Sequence, residues 1–396
     1  MRTIDTQVLV IGGGPGGTSA AITLAKAGID CTLVEKATIP HEKLCGGLYT
    51  QKTHHALQKL LTAEEYETFI AYATCNVAHQ IEFYRGTKLL VTVDDDYPMT
   101  VVSRERQDEW LFRHAGRLGA RTIDGDGVLS IDFGQRLATL RSGQQIRYRF
   151  IIAADGASSR TEHLLCAYDK RFPAKGKNVY GIGLTVSKDE LPDVDDDKLR
   201  IYFDLVPSGY SALFSFGDKV RFGLAKGPDE KIDLKTALFD FAHKVGIKHP
   251  ENYPVQGCVA PQGNVMKRPI WQDHVFFVGD AAGFCEMMTA EGICYAMMSG
   301  TDAAESIAEG LRQADAEKAA AALYWQCARR YIKIVDDSRI HGWCFNNQLF
   351  KRAFYWRAPM QPGWMSYFYS RKIEEGSTLP YFRLRWDYHV MKKKQK

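Results

Sequence analysis

Three glycines near the start of the chain have the spacing of a dinucleotide-binding turn. Gly12, Gly14 and Gly17 form G-x-G-x-x-G directly after residues 5–11, which read as a buried strand, and before a helix of small and apolar residues. The first glycine permits a tight turn, the second lets the backbone approach a pyrophosphate, and the third allows the helix to pack on the strand. Glu35 follows a second strand, where its carboxylate can accept hydrogen bonds from ribose hydroxyls. The pattern predicts a dinucleotide site and leaves FAD and NAD as alternatives.

Two later segments place an aspartate beside a glycine at the end of a predicted strand. Asp155 and Gly156 lie in AADGASSR, and Asp280 lies in FFVGDAAG, just before a helix begins. An aspartate in such a turn can accept hydrogen bonds from sugar hydroxyls, and the backbone N–H groups that follow can face a phosphate. Either turn alone is an ordinary link between two elements. Their order after the glycine pattern indicates further parts of one cofactor site.

The composition is that of an ordinary globular protein without a strong charge bias. The 396 residues carry a formal net charge of +4, which does not indicate a dedicated nucleic-acid binder. Nine cysteines occur without CxxC spacing, so we expect no disulfide framework and no metal site. No apolar run approaches the length of about 18 residues that a membrane span needs. With no secretory pattern at the N-terminus, we expect a cytoplasmic protein and leave contact with a membrane surface open.

Apolar periodicity and turn residues predict an α/β protein whose sheets and helices alternate. Strand-like hairpins are predicted over residues 79–102, and helices over 52–74, 103–120 with Ser103 as N-cap, 233–247, and from 291 to about 350 with interruptions. Because the cofactor elements occur early, midway and late, we expect a discontinuous Rossmann-like domain with a β-rich domain inserted into it. The predicted boundaries are 1–75, 103–165 and 265–310 for the cofactor domain, 76–102 and 166–264 for the substrate domain, and 311–396 for a helical C-terminal region.

The last fifty residues are rich in aromatic and basic side chains and end in KKKQK. One interpretation is a helical tail that packs its aromatic residues on the core and leaves its lysines in water. The other is a docking surface for a hydrophobic partner or an anionic membrane. We favour the packed tail on composition alone.

The cofactor motifs resemble those of the FAD-dependent monooxygenases and reductases that share the para-hydroxybenzoate hydroxylase fold. Within that superfamily the chain is most similar to the geranylgeranyl reductase family, over roughly residues 5–310. The residues that carry the resemblance are Lys43-Leu44-Cys45-Gly46-Gly47, Arg104 with Asp108, Asp155-Gly156, Gly279-Asp280-Ala281-Ala282-Gly283, Glu291-Gly292-Ile293, Ala296 and Ser299-Gly300.

The resemblance implies an FAD domain whose flavin is covered by the sheet of an inserted substrate domain. It implies that Arg104 approaches the flavin and that Cys45 and the turn at Glu291-Gly292-Ile293 lie beside its ring. Together with the motifs, it assigns cofactor binding to Gly12, Gly14, Pro15, Gly16, Gly17, Glu35, Lys36, Cys45, Gly46, Arg104, Asp155, Gly156, Gly279, Asp280, Gly283, Gly292 and Ile293.

Cys45 and Tyr210 are the candidate catalytic residues. A thiol beside a flavin can donate a proton, tune the ring or form an adduct, whereas most free cysteines are simply small buried side chains. Tyr210 can line the substrate pocket or fill one face of a sheet. For both residues, the sequence does not distinguish the functional role from the structural one.

The chain departs from the family pattern P-x-x-Y-x-W-x-F-P in the substrate domain. Pro207, Tyr210 and Phe214 match, but Ala212 and Ser215 stand where Trp and Pro are expected. After GDAAG, Met287 and Ala290 replace the usual Pro and Gly. The departures concern the substrate pocket and leave the cofactor motifs intact.

These observations predict an FAD-dependent reductase that delivers hydride to C=C bonds of a hydrophobic, isoprenoid-like or lipid substrate. The alternatives are a flavin monooxygenase that hydroxylates or epoxidises a small hydrophobic substrate, and a non-catalytic flavin-binding module. No second G-x-G-x-x-G provides a separate nicotinamide domain. The electron donor is therefore expected to be NAD(P)H that binds transiently, or a redox partner protein.

Overall fold

The computed structural model describes residues 3–206, 210–226, 230–287, 289–371 and 381–394, so Pro207 lies outside the described residues. The strands are β1 (Ile4–Ile11), β2 (Cys31–Val34), β3 (Leu48–Tyr49), β4 (Thr74–Arg85), β5 (Lys88–Val102), β6 (Arg121–Ile123), β7 (Val128–Asp132), β8 (Leu137–Leu140), β9 (Gln145–Ala153), β10 (Val179–Ser187), β11 (Lys198–Phe203), β12 (Ser211–Ser215), β13 (Lys219–Lys226), β14 (Gln256–Ala260), β15 (Ile270–Trp271) and β16 (Val275–Phe277).

The α-helices lie between and after these strands. They are α1 (Pro15–Lys26), α2 (Gln51–Leu60), α3 (Ala63–Ala73), α4 (Arg104–Arg117), α5 (Arg160–Tyr168), α6 (Leu234–Val245), α7 (Gly279–Ala282), α8 (Ile293–Gly310), α9 (Ala316–Asn346), α10 (Gln348–Arg357), α11 (Pro362–Tyr369) and α12 (Tyr381–Lys394). In the part of the chain that these elements cover, no helix is both long and apolar enough to cross a membrane.

The first sheet carries the nucleotide-binding turn. Its strand order is β15-β16-β9-β1-β2-β6, and β1 pairs in parallel with both β2 and β9. The central strands are buried on both faces, which explains why β1 reads as a continuous apolar run rather than an alternating one. Because the strands are parallel, the loops after β1, β9 and β16 meet at one edge of the sheet. This edge collects all three predicted cofactor motifs.

The second sheet has the order β14-β10-β13-β12-β11-β4-β5-β3 and is antiparallel except where β11 pairs with β4. Its two faces enter different cores because side chains alternate along each strand. On β11, Tyr202 packs with the α6 residue Phe241, whereas Leu199 and Phe203 pack with residues of α10 and α11. The predicted fold class, a Rossmann-like domain with an inserted sheet and a helical C-terminal region, is confirmed. The domain boundaries stay a prediction; β3, inside the segment 1–75, pairs with the second sheet.

One predicted helix is divided in two. Residues 52–74 were expected to form a single helix, but α2 ends at Leu60 and α3 begins after Thr62. Thr62 accepts a hydrogen bond from the backbone N–H of Glu65, and the Glu65 carboxylate accepts one from the N–H of Thr62. This reciprocal capping box satisfies two helix-end donors and starts a new helix. The other predicted cap is confirmed, since Ser103 accepts from Arg106 N at the start of α4.

Helices α10 and α11 pack on the second sheet, whereas α9 packs on the core of the first sheet. Tyr355 of α10 and Trp364 and Phe368 of α11 are buried against the face that carries Phe83 and Phe203. The Tyr355 hydroxyl also donates to Asp204 Oδ1 at 2.9 Å. The expectation of a tail packed on the core is confirmed for these inward-facing residues.

Candidate cofactor and substrate site

At two positions of the first turn, main-chain segments lie so close together that only glycine fits. Gly12 has a φ of +110°, and a Cβ built on it would lie 2.4 Å from the carbonyl oxygen of Ala154. A Cβ on Gly17 would lie 1.8 Å from the carbonyl oxygen of Gly12. Both contacts are with backbone atoms that cannot rotate away, so β1, β9 and α1 meet without room for a side chain.

Two helices begin at the same cavity. Gly14 caps α1 and Gly292 caps α8, and neither end has a side-chain cap. Both residues line the cavity described below. The first N–H groups of a helix and the positive end of its dipole favour an anion. The two ends are therefore suited to the phosphate and ring oxygens of a dinucleotide.

The residues around this edge fit a bound dinucleotide cofactor. No heavy atom lies within 4 Å of a Cβ built on Gly14, which leaves the backbone open to the cavity. Arg104 is buried, and its Nη2 donates to Asp108 Oδ1 and Oδ2 at 3.1 and 2.9 Å. Its Nε faces no hydrogen-bond partner within the described residues. A buried donor of this kind requires an acceptor, which a cofactor oxygen at the cavity edge would supply.

One cavity of about 670 Å³ joins the first sheet, the second sheet and the C-terminal helices. It brings together the predicted residues Gly14, Pro15, Gly16, Cys45, Gly46, Arg104, Gly156, Tyr210, Gly279, Asp280, Gly292 and Ile293. The predicted residues that do not line it are Gly12, Gly17, Glu35, Lys36, Asp155 and Gly283.

In the described parts of the chain, no group of three or more His, Cys, Asp or Glu side chains is placed to hold a metal ion.

Two predicted carboxylates hold the turns rather than reach into the cavity. Glu35 accepts the backbone N–H of Gly13 at 2.6 Å and that of Ala37 at 3.0 Å. Asp155 accepts the hydroxyl of Ser159 at 2.6 Å and the N–H of Thr161 at 2.8 Å. Glu35 thus fixes the glycine loop, and Asp155 fixes the first turn of α5. Their role toward a cofactor stays a prediction.

Cys45 lies in a loop that the second sheet holds against the first. Arg221 Nη1 of β13 donates to the carbonyl oxygen of Cys45 at 3.0 Å, and the N–H of Gly47 donates to Cys45 Sγ at 3.4 Å. A Cβ on Gly46 would lie 2.8 Å from the ring of Phe214 in β12. The thiol is half-buried and faces the cavity where the two sheets meet.

Tyr210 connects the second sheet to the loop before α8. Its hydroxyl donates to the carbonyl oxygen of Thr289. Burial, together with Cys285, Glu286 and other nearby acidic groups, raises the pKa of Tyr210 above its ordinary value. The phenol is therefore neutral at physiological pH and closes one side of the cavity.

A buried ion pair beside the start of α8 was not predicted. Glu291 lines the cavity, forms an ion pair with Lys52 and accepts the Thr50 hydroxyl at 2.8 Å. Burial raises the pKa of Glu291, whereas Lys52 lowers it. Glu291 stands in a motif that the sequence analysis named, but Lys52 lies about 240 residues away in sequence, and only the fold brings them together.

The opposite end of the cavity is apolar. Its walls come from the second sheet and from α10 and α11, and they include Ile81, Phe83, Leu199, Ile201, Phe203, Ala212, Phe214, Phe222, Phe354, Met365 and Phe368. Ala212, where the family pattern has Trp, faces this space and leaves it wider. Lys351 and Arg339 add cations to the wall, and Lys351 lies 3.5 Å from Asp204. None of the α10 and α11 wall residues was predicted from the sequence.

Comparison with known proteins identifies the family to which the chain is similar. A family model described as an FAD binding domain matches residues 5–324. A geranylgeranyl diphosphate reductase of Rhodobacter capsulatus is 26% identical over 311 residues, which cover 76% of this chain and 74% of that protein.

Two solved structures share the fold. A geranylgeranyl bacteriochlorophyll reductase-like protein of Thermoplasma acidophilum has a TM-score of 0.74 and 20% identity, covering 87% of this chain and 88% of that one. A p-nitrophenol 4-monooxygenase of Pseudomonas putida has a TM-score of 0.68 and 16% identity, covering 91% and 95%. The architecture is thus common to proteins named for reduction and for oxygenation.

Proposed function

The chain belongs to the FAD-binding domain family of oxidoreductases, and on that premise we propose that it reduces C=C bonds of an elongated, apolar, isoprenoid-like substrate. The observation that carries the proposal is the continuous cavity that runs from the glycine turn to an apolar chamber behind the second sheet. Similarity to geranylgeranyl diphosphate reductase supports the same substrate class.

The apolar chamber accounts for substrate binding. Phe83 and Phe203 from the sheet and Phe354 and Phe368 from the C-terminal helices present rings to the cavity. Such walls bind a hydrocarbon chain by removing its surface from water, at roughly 25 cal/mol per Å². They also keep water away from the reacting carbons.

Reduction of a C=C bond adds a hydride to one carbon and a proton to the other. FAD, when bound and reduced, supplies the hydride chemistry. We assign the proton to the Cys45 thiol, since Arg221 and Gly47 hold its loop at the junction of the cofactor end and the apolar chamber. Tyr210 acts as a wall of the site, because its hydrogen is engaged with Thr289. As electron donor we propose NAD(P)H that binds transiently; a redox partner protein is the alternative.

The test is anaerobic turnover by the FAD-loaded protein after reduction with dithionite. Prenyl diphosphates and prenyl quinones serve as substrates, and mass spectrometry identifies the product. We expect the cofactor to be oxidised, which is monitored by its absorbance. We also expect a product that has gained two hydrogen atoms. Replacing Cys45 by Ala is expected to slow this step by about 100-fold, with FAD content unchanged.

Cys166→Ala is the matched control, because Cys166 is a half-buried thiol on α5 outside the cavity lining. A product that gains one oxygen atom, and forms only in air, would identify a monooxygenase instead. If bound FAD is neither oxidised by any substrate nor linked to oxygen transfer, the chain is a flavin-binding module without turnover.

A further inference from the structure

The helix α10 carries apolar side chains on its outward face as well as on its inward face. Leu349 is 76% exposed and Trp356 is 65% exposed. They lie seven positions apart, with exposed Arg352 and Ala353 between them, so all four share one face of the helix. The opposite face is buried in the core of the second sheet. A surface helix normally keeps its outward face polar, so this face needs a separate explanation.

The last helix has a similar outward face. On α12, Trp386 is 65% exposed, and Val390 is also exposed. Arg383 and Lys393 are exposed and, by their spacing, lie on the same side. The opposite side packs on α11, where the ring centroids of Tyr388 and Tyr367 lie 5.4 Å apart. We call the outward residues Leu349, Arg352 and Trp356 of α10 and Arg383, Trp386, Val390 and Lys393 of α12 the docking face.

Positive charge is concentrated in the same part of the chain. Residues 348–396 contain eleven Lys or Arg and three Asp or Glu, a formal charge of +8. Since the whole chain carries +4, the preceding 347 residues carry −4. The exposed apolar side chains therefore lie in the basic segment of a chain that is otherwise slightly acidic.

Helix α10 of the docking face and the neighbouring helix α11 also form part of the cavity wall. Lys351 and Phe354 of α10, and Met365, Phe368 and Tyr369 of α11, line the apolar chamber. One layer of helices thus separates this chamber from the exposed Leu349 and Trp356. A hydrophobic cavity directly behind an apolar, basic surface suits a protein that works against lipid.

We propose that the docking face binds the surface of a bilayer that contains anionic lipids. Its Trp, Leu and Val side chains enter the boundary between headgroups and acyl chains, and Arg352 and Lys393 contact anionic headgroups, whereas Arg383 forms an ion pair with Asp387 on the same helix. A protein partner is less well supported, because the apolar side chains alternate with cations along two helices instead of gathering in one closely packed centre. Binding of this kind does not depend on the reductase activity proposed above.

The experiment is sedimentation of the full-length, FAD-loaded protein with lipid vesicles. One set contains phosphatidylcholine alone, and the other contains phosphatidylcholine with phosphatidylglycerol. We expect binding to the anionic set and little to the neutral set. The double variant Leu349→Gln with Trp356→Gln should bind the anionic vesicles more weakly by a factor of at least about ten, because two interfacial apolar side chains are lost.

The control is the double variant Leu89→Gln with Leu129→Gln, which removes two exposed apolar side chains from β5 and β7. It should bind as the unmodified protein does, and both variants should retain FAD. A second measurement needs no variant: phosphatidylglycerol with brominated acyl chains should quench tryptophan fluorescence of the unmodified protein.

Failure of the unmodified protein to bind anionic vesicles would overturn the proposal, as would full binding by the Leu349 and Trp356 variant. A dimer in sedimentation velocity that this variant dissociates, without vesicle binding, would assign the face to a second copy of the chain. Turnover is not measured in any of these experiments, so their outcome is separate from that of the proposed function.

Discussion

At the cofactor end of the cavity, main chain packs on main chain, whereas at the substrate end side chains pack on side chains. The turn after β1 leaves no space for a Cβ on Gly12 or Gly17, and a Cβ built on Gly300 of α8 would lie 2.0 Å from the Gly16 carbonyl oxygen. The chamber at the other end is enclosed by rings and aliphatic groups from three distant segments of the chain. The first end can vary little without moving the backbone. The second can change size by exchanging one side chain.

The largest expected effect comes from adding a methyl group to the cofactor end. Gly17→Ala places a Cβ 1.8 Å from the carbonyl oxygen of Gly12, so strand and helix must separate. We expect a loss of about 3 kcal/mol in the free energy of unfolding, together with loss of FAD. Urea unfolding and the flavin absorbance of the purified protein measure the two effects.

Two further glycine variants separate binding from stability. Gly14→Ala meets no protein atom within 4 Å, so unfolding should change by no more than about 1 kcal/mol. Its methyl group occupies the space left for the cofactor, and FAD affinity should fall about tenfold or more. Gly116→Ala, in α4 with ordinary contacts to Thr122, should change neither quantity appreciably. Equal FAD affinity in Gly14→Ala and the unmodified protein would mean that the cofactor does not lie beside this turn.

A smaller effect is expected at the substrate end. Ala212→Trp fills part of the apolar chamber from β12. Folding and FAD content should be retained, while the kcat/KM ratio for long against short prenyl substrates should fall about tenfold. Ala71→Trp on the exposed side of α3 is the control. Unchanged chain-length preference would show that the substrate does not extend past β12.

The smallest effect concerns a buried carboxylate at the cofactor end. Burial raises the pKa of Asp280 above its usual 3.8, although Lys43, Arg104 and Lys175 oppose this. The ionised carboxylate therefore costs stability, and this cost appears as pH rises through the raised pKa. Asp280→Asn should raise the Tm of the flavin-free protein near neutral pH, and the advantage should vanish as pH falls toward 3.8. A Tm difference that is independent of pH would contradict this electrostatic account.

The same contrast explains what could be predicted from sequence. Gly12 and Gly17 were found because backbone contacts fix their residue type, and Gly14 because it stands at the fixed spacing between them. The break between α2 and α3 was missed even though Thr62 and Glu65 have the capping-box spacing. The signal was local but was overlooked within a run of helix-forming residues.

The rest of the site depends on contacts that no local pattern records. Arg221 reaches the carbonyl oxygen of Cys45 across 176 positions, and Phe354 and Met365 reach the chamber from the far end of the chain. Composition alone predicted aromatic residues packed at the C-terminus but not which side of the sheet they would cover. It also left two interpretations of that region, of which the inward packing is confirmed and the outward docking is a proposal.

The long helix α9 imposes a constraint on how such a protein can diverge. Its 31 residues begin inside the region that matches the family model, which ends at residue 324, and continue beyond it. Tyr324 and Tyr331 fix its first half by hydrogen bonds to Phe277 O and Asp302 Oδ2, while Gly342 near its end lines the cavity. Inserting one residue would turn everything after it by about 100° and advance it by about 1.5 Å. Single substitutions can therefore change the cavity wall one residue at a time. An insertion or deletion in α9, by contrast, requires new packing for the helices that follow it.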